Sequence, residues 1–263
     1  CHDGTIAIGS LNVLNGVATK VAMVGTNSGK MPDGTVANTG FTRNLGADLS
    51  NDHPISFSFE TARGTASSLL VADGELREPN DKDDINYPGK HLAPLDADGK
   101  VQCTTCHDPH VSGNDNPNVS ADTANNIKFL RARRFQMLAP SVDAGGVVPF
   151  DLAKDIVCLE CHAKDGWAES THAIADVSYK DDAAKLREFP LGIKVWQAAC
   201  LNCHDTHTVA GANRLLREGI NATGTFSTAK ISTASSKPAL EETCFQCHTS
   251  PSDSILTTGI ANI

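Results

Sequence analysis

Eight of the nine cysteines stand in four Cys-x-x-Cys pairs, and a histidine follows each pair at once. They read Cys103-Thr-Thr-Cys106-His107, Cys158-Leu-Glu-Cys161-His162, Cys200-Leu-Asn-Cys203-His204 and Cys244-Phe-Gln-Cys247-His248. With histidine at 10 of 263 residues, four such successors arise by chance about two times in a million, so the pattern is chemical. Two thiols three residues apart on a helical turn can add to the two vinyl groups on one porphyrin edge. The next residue then presents its imidazole to the iron. This is the attachment signature of c-type haem. A zinc ribbon would need paired motifs about 15–20 residues apart and no histidine after each. A redox-active Cys-x-x-Cys is normally a single site in a βαβ setting.

The ninth cysteine, Cys1, precedes His2 and Asp3, which repeats Cys106-His107-Asp108 and Cys203-His204-Asp205. The expectation is a fifth attachment motif whose first cysteine lies before the given start. An acylated lipoprotein cysteine is the alternative. The other histidines, His53, His91, His110, His172 and His207, equal in number the motif histidines His2, His107, His162, His204 and His248. One-to-one matching predicts five haems, each iron held between two histidines. His110 and His207 complete Cys-His-x-x-His with His107 and His204. Residues three apart lie on one side of a helical turn, whereas trans ligands approach an iron from opposite faces. His110 and His207 are therefore expected to serve neighbouring irons, with haems packed in contact. Met23, Met31 and Met137 are expected to be packing residues, not ligands.

The elements that must hold these groups are short. Phe, Tyr and Trp together make up only 5% of the chain, thin for an ordinary core, and the macrocycles are expected to supply flat apolar bulk. The predicted fold class is mostly irregular coil with short α-helices and minor β-strands, organised around a chain of covalently bound haems. Residues 1–102 are expected to form a loop- and β-rich segment carrying the first motif remnant and distal histidines. Residues 103–263 form the multihaem region. Short β-like runs are predicted at 20–24, 55–59 and 68–72, separated by Gly, Asn and Asp. Helices are predicted at 149–157, 193–199 and 238–244, each leading into a motif, and at 181–189, stopped at Pro190. Residues 113–126, rich in Asn, Asp and Ser, read as a surface loop. Asp96-Ala-Asp98-Gly offers a weak calcium signal without the twelve-residue EF-hand pattern.

A faint repeat runs through the second region. His107-Asp-Pro-His110 is followed by Asn126-Ile-Lys-Phe-Leu130-Arg131, and His204-Asp-Thr-His207 by Asn213-Arg-Leu-Leu216-Arg217. A motif without the second histidine comes after each, at Cys158 and Cys244. Arg131, Arg133, Arg134, Arg214 and Arg217 read either as a solvated face or as partners of haem propionates.

The Cys-x-x-Cys-His-Asp-x-His motifs with trailing Leu-Leu-Arg, together with His53-Pro-Ile-Ser-Phe57 and Cys1-His-Asp-Gly-Thr-Ile-Ala7, resemble multihaem cytochromes c of the doubled Cys-x-x-Cys-His type. The resemblance covers residues 1–7, 51–59 and 103–248 and is specific for haem, not for substrate. It implies a periplasmic or extracellular electron carrier, similar to those of anaerobic, often metal-reducing microbes. Some relatives polymerise into extracellular filaments with a distal histidine exchanged between subunits. Roughly 53 residues per haem suits an extended layout.

An electron carrier, not an enzyme, is the expected class, with other redox proteins or extracellular acceptors as partners. The competing class is a multihaem oxidoreductase of nitrite, hydroxylamine or tetrathionate type, or its electron donor. Such enzymes need an iron with an open position, and no Cys-x-x-Cys-Lys occurs here. A net charge of −9 argues against nucleic acid. No run approaches 18 apolar residues, so no membrane span is expected, and an export signal is expected to have been removed already.

Overall fold

Short turns and helices of six residues or fewer make up the described part of this chain. In the computed structural model, residues 52–64, 93–110, 129–136, 156–162, 164–167, 169–207 and 243–258 are described, with short stretches at 10–11, 21–22, 45, 49, 76, 79, 83–84, 87–91, 142–143, 146–147 and 215–216. Three two-stranded antiparallel ribbons occur among them: β1 (Ser10–Leu11) with β2 (Val21–Ala22), β3 (Asp83–Asp84) with β4 (Tyr87–His91), and β5 (Val142–Asp143) with β6 (Gly146–Val147). The predicted runs at 68–72 and the helices at 149–157 and 238–244 fall largely or wholly outside the described residues, as does the 113–126 loop.

The alternating run at 55–59 does not form a strand. Ser56 sits in the left-handed region, with φ of 62°, which breaks the alternation of faces. Ser58 then caps α1 (Phe59–Arg63), its hydroxyl accepting the Thr61 N–H at 3.3 Å. Glu60 in the first turn and Arg63 in the last suit the helix dipole. Phe59 is buried, whereas Ile55, on the same predicted face, is exposed. The run instead lies along residues 99–101, with Ser56 N–H bonded to Val101 O and Phe59 N–H to Gly99 O.

Two compact units follow from the contacts. One comprises Pro54–Asp176 and Ile193–Leu201; the other comprises Cys1–His53, Val177–Gly192 and Asn202–Ile263. Inside the first lie α1, α2 (Cys103–Cys106), a 3-10 turn at Val157–Glu160, another at Thr171–Ile174, and α4 (Val195–Ala198). Its core includes Ile156, Leu159 and Ala199, with Cys158, Trp167 and Cys200 packed against them. Two helices here start by the same device. The Thr105 hydroxyl accepts the Gln102 N–H, and Gln197 Oε1 accepts the Lys194 N–H, each at 2.9 Å. A side chain three residues in thus satisfies the N-cap donor.

In the second unit, α3 (Asp181–Leu186) carries Asp181 and Asp182 in its first turn and Lys185 in its last. It ends before Pro190, with Glu188 at a φ of 54° and the Phe189 N–H returning to Ala184 O. Tyr179, 1% exposed, packs edge-on against Phe189 at 5.3 Å and bridges Leu256. The Lys180 ammonium donates to the carbonyls of Pro251, Ser252 and Ser254, tying down the stretch that follows Cys247.

Candidate functional site

Three of the four complete cysteine motifs close into the same tight turn, and the remaining one, at residues 200–204, starts in a 3-10 turn at Ala199–Asn202. The N–H of His107 bonds to Cys103 O, that of His162 to Cys158 O and that of His248 to Cys244 O, all at 3.0 Å. This bond spans four residues, so the two cysteines and the histidine of each of these three motifs are locked into a single turn. Between the cysteines, Thr105, Leu159 and Glu160, Leu201, and Gln246 are buried. The eight cysteines at 103, 106, 158, 161, 200, 203, 244 and 247 are not in disulfides, and each residue is at least partly exposed. The intervening residues anchor each turn, and Cys158 and Cys200 themselves pack against the apolar cluster of Ile156, Leu159 and Ala199.

The thiols are not equivalent. Burial pushes Cys106 up to about 11, with Cys103 adding to the rise and Arg131 opposing it. Cys158 is raised well above the usual thiol range, first by its hydrogen bond to Cys200 and then by burial. Cys200 is lowered because it accepts that bond. The first cysteines of the second and third motifs are therefore in contact, and Cys106 is near enough to raise Cys158 further.

The repeat read in the second region has a structural counterpart. His107 bridges Leu130 and His204 bridges Leu216, both antiparallel. Asp108 N–H bonds to Phe129 O at 2.7 Å, and Asp205 N–H to Leu215 O at 3.0 Å. Phe129 and Leu215, at equivalent places, both adopt the left-handed conformation, with φ of 53° and 54°. The chain thus returns to both motif histidines through the same backbone joint.

The non-motif histidines divide in the same comparison. His110 is 84% exposed at its side chain, and its Nδ1 lies 2.9 Å from Asp108 Oδ1. The Asp108 carboxylate is in turn gripped by Arg131 at 3.1 Å, whose Nε also donates to Thr104 O at 2.7 Å. His207 is partly buried, and its Nδ1 lies 3.3 Å from Asp52 Oδ1. The neighbouring His53 is clamped there by its N–H, which bonds to Thr206 O at 2.8 Å. The structure thus brings His53 and His207 onto adjacent strands of chain. His172 stands exposed on the 3-10 turn Thr171–Ile174, and His162 bridges Leu76. His91 ends β4, opposite Asp83. Cys1 and His2 lie outside the described residues.

Asp52 escaped the sequence reading, since nothing marks it except its place before His53. Asp108 was visible in the motif, but its use was not. Arg131, read either as part of a solvated face or as a propionate partner, directs its guanidinium to Asp108 and Thr104. Arg134 stacks over the Phe135 ring at 4.3 Å. Arg214 and Arg217 lie outside the described residues. At Asp96 the carboxylate is engaged in a turn, accepting the N–H groups of Asp98 and Lys100 and the Gln102 amide. Among the described residues no three His, Cys, Asp or Glu side chains converge on a metal-sized point, and no helix is long and apolar enough to cross a membrane. No family model, curated protein or solved structure matches the chain.

Proposed function

We propose that this chain is a multihaem c-type cytochrome that carries electrons, with five haems held covalently and ligated by paired histidines. The observation that carries the reading is the set of four Cys-x-x-Cys-His motifs, three of them wound into the same turn. Cys103 and Cys106, Cys158 and Cys161, Cys200 and Cys203, and Cys244 and Cys247 would hold four haems, and Cys1 the fifth. His2, His107, His162, His204 and His248 would ligate from the attachment side; His53, His91, His110, His172 and His207 would supply the opposite ligands. The bound haem supplies one-electron redox chemistry at iron.

The chain's own part is to bind, orient and exclude water. The closing turn bonds fix His107, His162 and His248 relative to their cysteines, and the joints at Phe129 and Leu215 hold the backbone just beyond His107 and His204. Paired histidine ligation leaves no open position on an iron, which favours electron transfer over catalysis, and it gives lower potentials than methionine/histidine ligation. Covalent attachment implies export to the periplasm or the cell exterior. The partners are then other redox proteins or extracellular acceptors, and the polymer with exchanged ligands remains a form of the same proposal.

Intact mass and a haem assay of the exported protein test this directly. Five haems, low-spin when reduced and inert to carbon monoxide, are the expected result. A protein without covalent haem, or with a carbon monoxide-binding haem in the unaltered chain, would falsify the carrier reading.

A further inference from the structure

The two Cys-His-Asp-x-His segments each end in a histidine whose Nδ1 meets a carboxylate, and the two carboxylates come from different places. Asp108 is two residues before His110; Asp52 is brought to His207 from far along the chain, at the start of the segment that also carries His53. Both aspartates are buried, 8% and 6% exposed. Burying a carboxylate without partners is costly, so each is held where it is by what it accepts. At Asp108 the acceptor bonds are accounted for in part by the His110 N–H at 2.9 Å, the His110 ring at 2.9 Å and Arg131 at 3.1 Å.

An ionised carboxylate only accepts hydrogen bonds. An imidazole nitrogen facing it therefore carries the proton, which leaves Nε2 as the lone-pair nitrogen. We infer that Asp108 and Asp52 are positioning residues: they fix the ring orientation and tautomer of His110 and His207 so that Nε2 is the iron donor, and they make both ligands more strongly electron-donating. This rests on the proposed paired-histidine ligation and adds to it a means of tuning two of the haems.

A carboxylate behind a ligating histidine raises its basicity, and loss of such a partner commonly changes metal affinity 10- to 100-fold. The more basic ligand favours ferric over ferrous iron. A tenfold loss of that preference corresponds to about 59 mV for a one-electron couple.

The test uses the full haem-loaded chain and its Asp108→Asn and Asp52→Asn variants, each followed by potentiometric titration in the visible and by EPR of the ferric state. Each variant should raise the midpoint of one haem by about that amount, shift one low-spin EPR signal and leave the others in place. The affected haem should differ between the two variants. Unchanged potentials and signals in variants that keep every haem low-spin would overturn the positioning role while leaving the cytochrome reading intact. A chain that carries no covalent haem, or lacks histidine-paired spectra, would overturn both.

A second measurement needs no variant and covers the case in which an Asn chain fails to load haem. In the reduced, diamagnetic protein, two histidine Nδ1 protons should resonate downfield of the rest, as expected for donors to a carboxylate. The absence of such a displaced pair would count against the inference.

Discussion

Residues 103–110 and 200–207 share a motif, a backbone joint and a left-handed residue, yet they support their last histidine differently. In the first segment the carboxylate behind the ring is local. Asp108, two residues back, holds the His110 ring; Arg131, beside the Leu130 that bridges His107, holds Asp108 and donates to the Thr104 carbonyl. His110 itself stands largely in solvent. In the second segment the support arrives from a distance. Asp205 accepts the N–H of Thr206, and Asp52 and His53 come in to hold His207 and the Thr206 carbonyl. The repeated sequence thus goes with a repeated backbone joint, while the side-chain wiring follows whatever packs nearby.

Removing the two histidines should break this comparison most visibly. His110→Ala and His207→Ala should each leave one haem open, seen as a carbon monoxide-reactive fraction of about one haem per chain. Their stabilities should then part. Both variants lose an iron ligand; beyond that shared loss, His110→Ala should cost no more than about 0.5 kcal/mol, because Asp108 keeps Arg131 and the residue-110 N–H as partners. His207→Ala strips a ring partner from the buried Asp52 and should cost about 1–3 kcal/mol more in thermal unfolding of the holoprotein. Equal losses would mean that the remote clamp contributes nothing.

The left-handed joints offer a smaller effect. A non-glycine residue there costs roughly 1–2 kcal/mol, and glycine gives part of that back in unfolded-chain entropy. Phe129 is 48% exposed, so Phe129→Gly should raise stability by about 0.5 kcal/mol. Leu215 is half-buried, and Leu215→Gly should lose about as much apolar burial as it gains in relief. Melting curves showing the reverse order would place the strain elsewhere.

The smallest effect should be acid-dependent and confined to the first segment. The Asp96 carboxyl is held below its usual value of 3.8 by the Gln102 side-chain bond, then by the Lys100 N–H, and Gln102 is the N-cap of α2. A lowered carboxylate contributes stability in full above its unfolded value and loses it as pH falls through the folded value. Asp96→Asn should therefore lower the melting temperature slightly at neutral pH and not at all in acid below that value. The haem signals of the second segment should not respond. A deficit that persists in strong acid would mean that the effect is packing, not charge.

How much was legible in advance varies by element. The turns at Cys103, Cys158 and Cys244 were, because cysteines three residues apart with an adjacent histidine span a single turn. The helix after Lys180 was also legible, since acidic residues at its start and Pro190 beyond its end are local signals. The run at 55–59 was not. Its alternation is a strand signal, but a left-handed Ser56 and a capping Ser58 redirect it, and both depend on pairing with residues 99–101. The partnership of Asp52 with His207 was equally illegible, because no periodicity links positions so far apart.

By itself the sequence determined the number and kind of reactive groups and their grouping into one-turn motifs. These are properties of residue type and short-range spacing, which local backbone geometry enforces. Only the tertiary structure decided which carboxylate stands behind which histidine, that Cys158 meets Cys200, and that Arg131 is bound to Asp108. Those choices turn on which distant segments are brought within hydrogen-bonding distance. Two copies of nearly the same tetrapeptide acquired different supports for that reason alone.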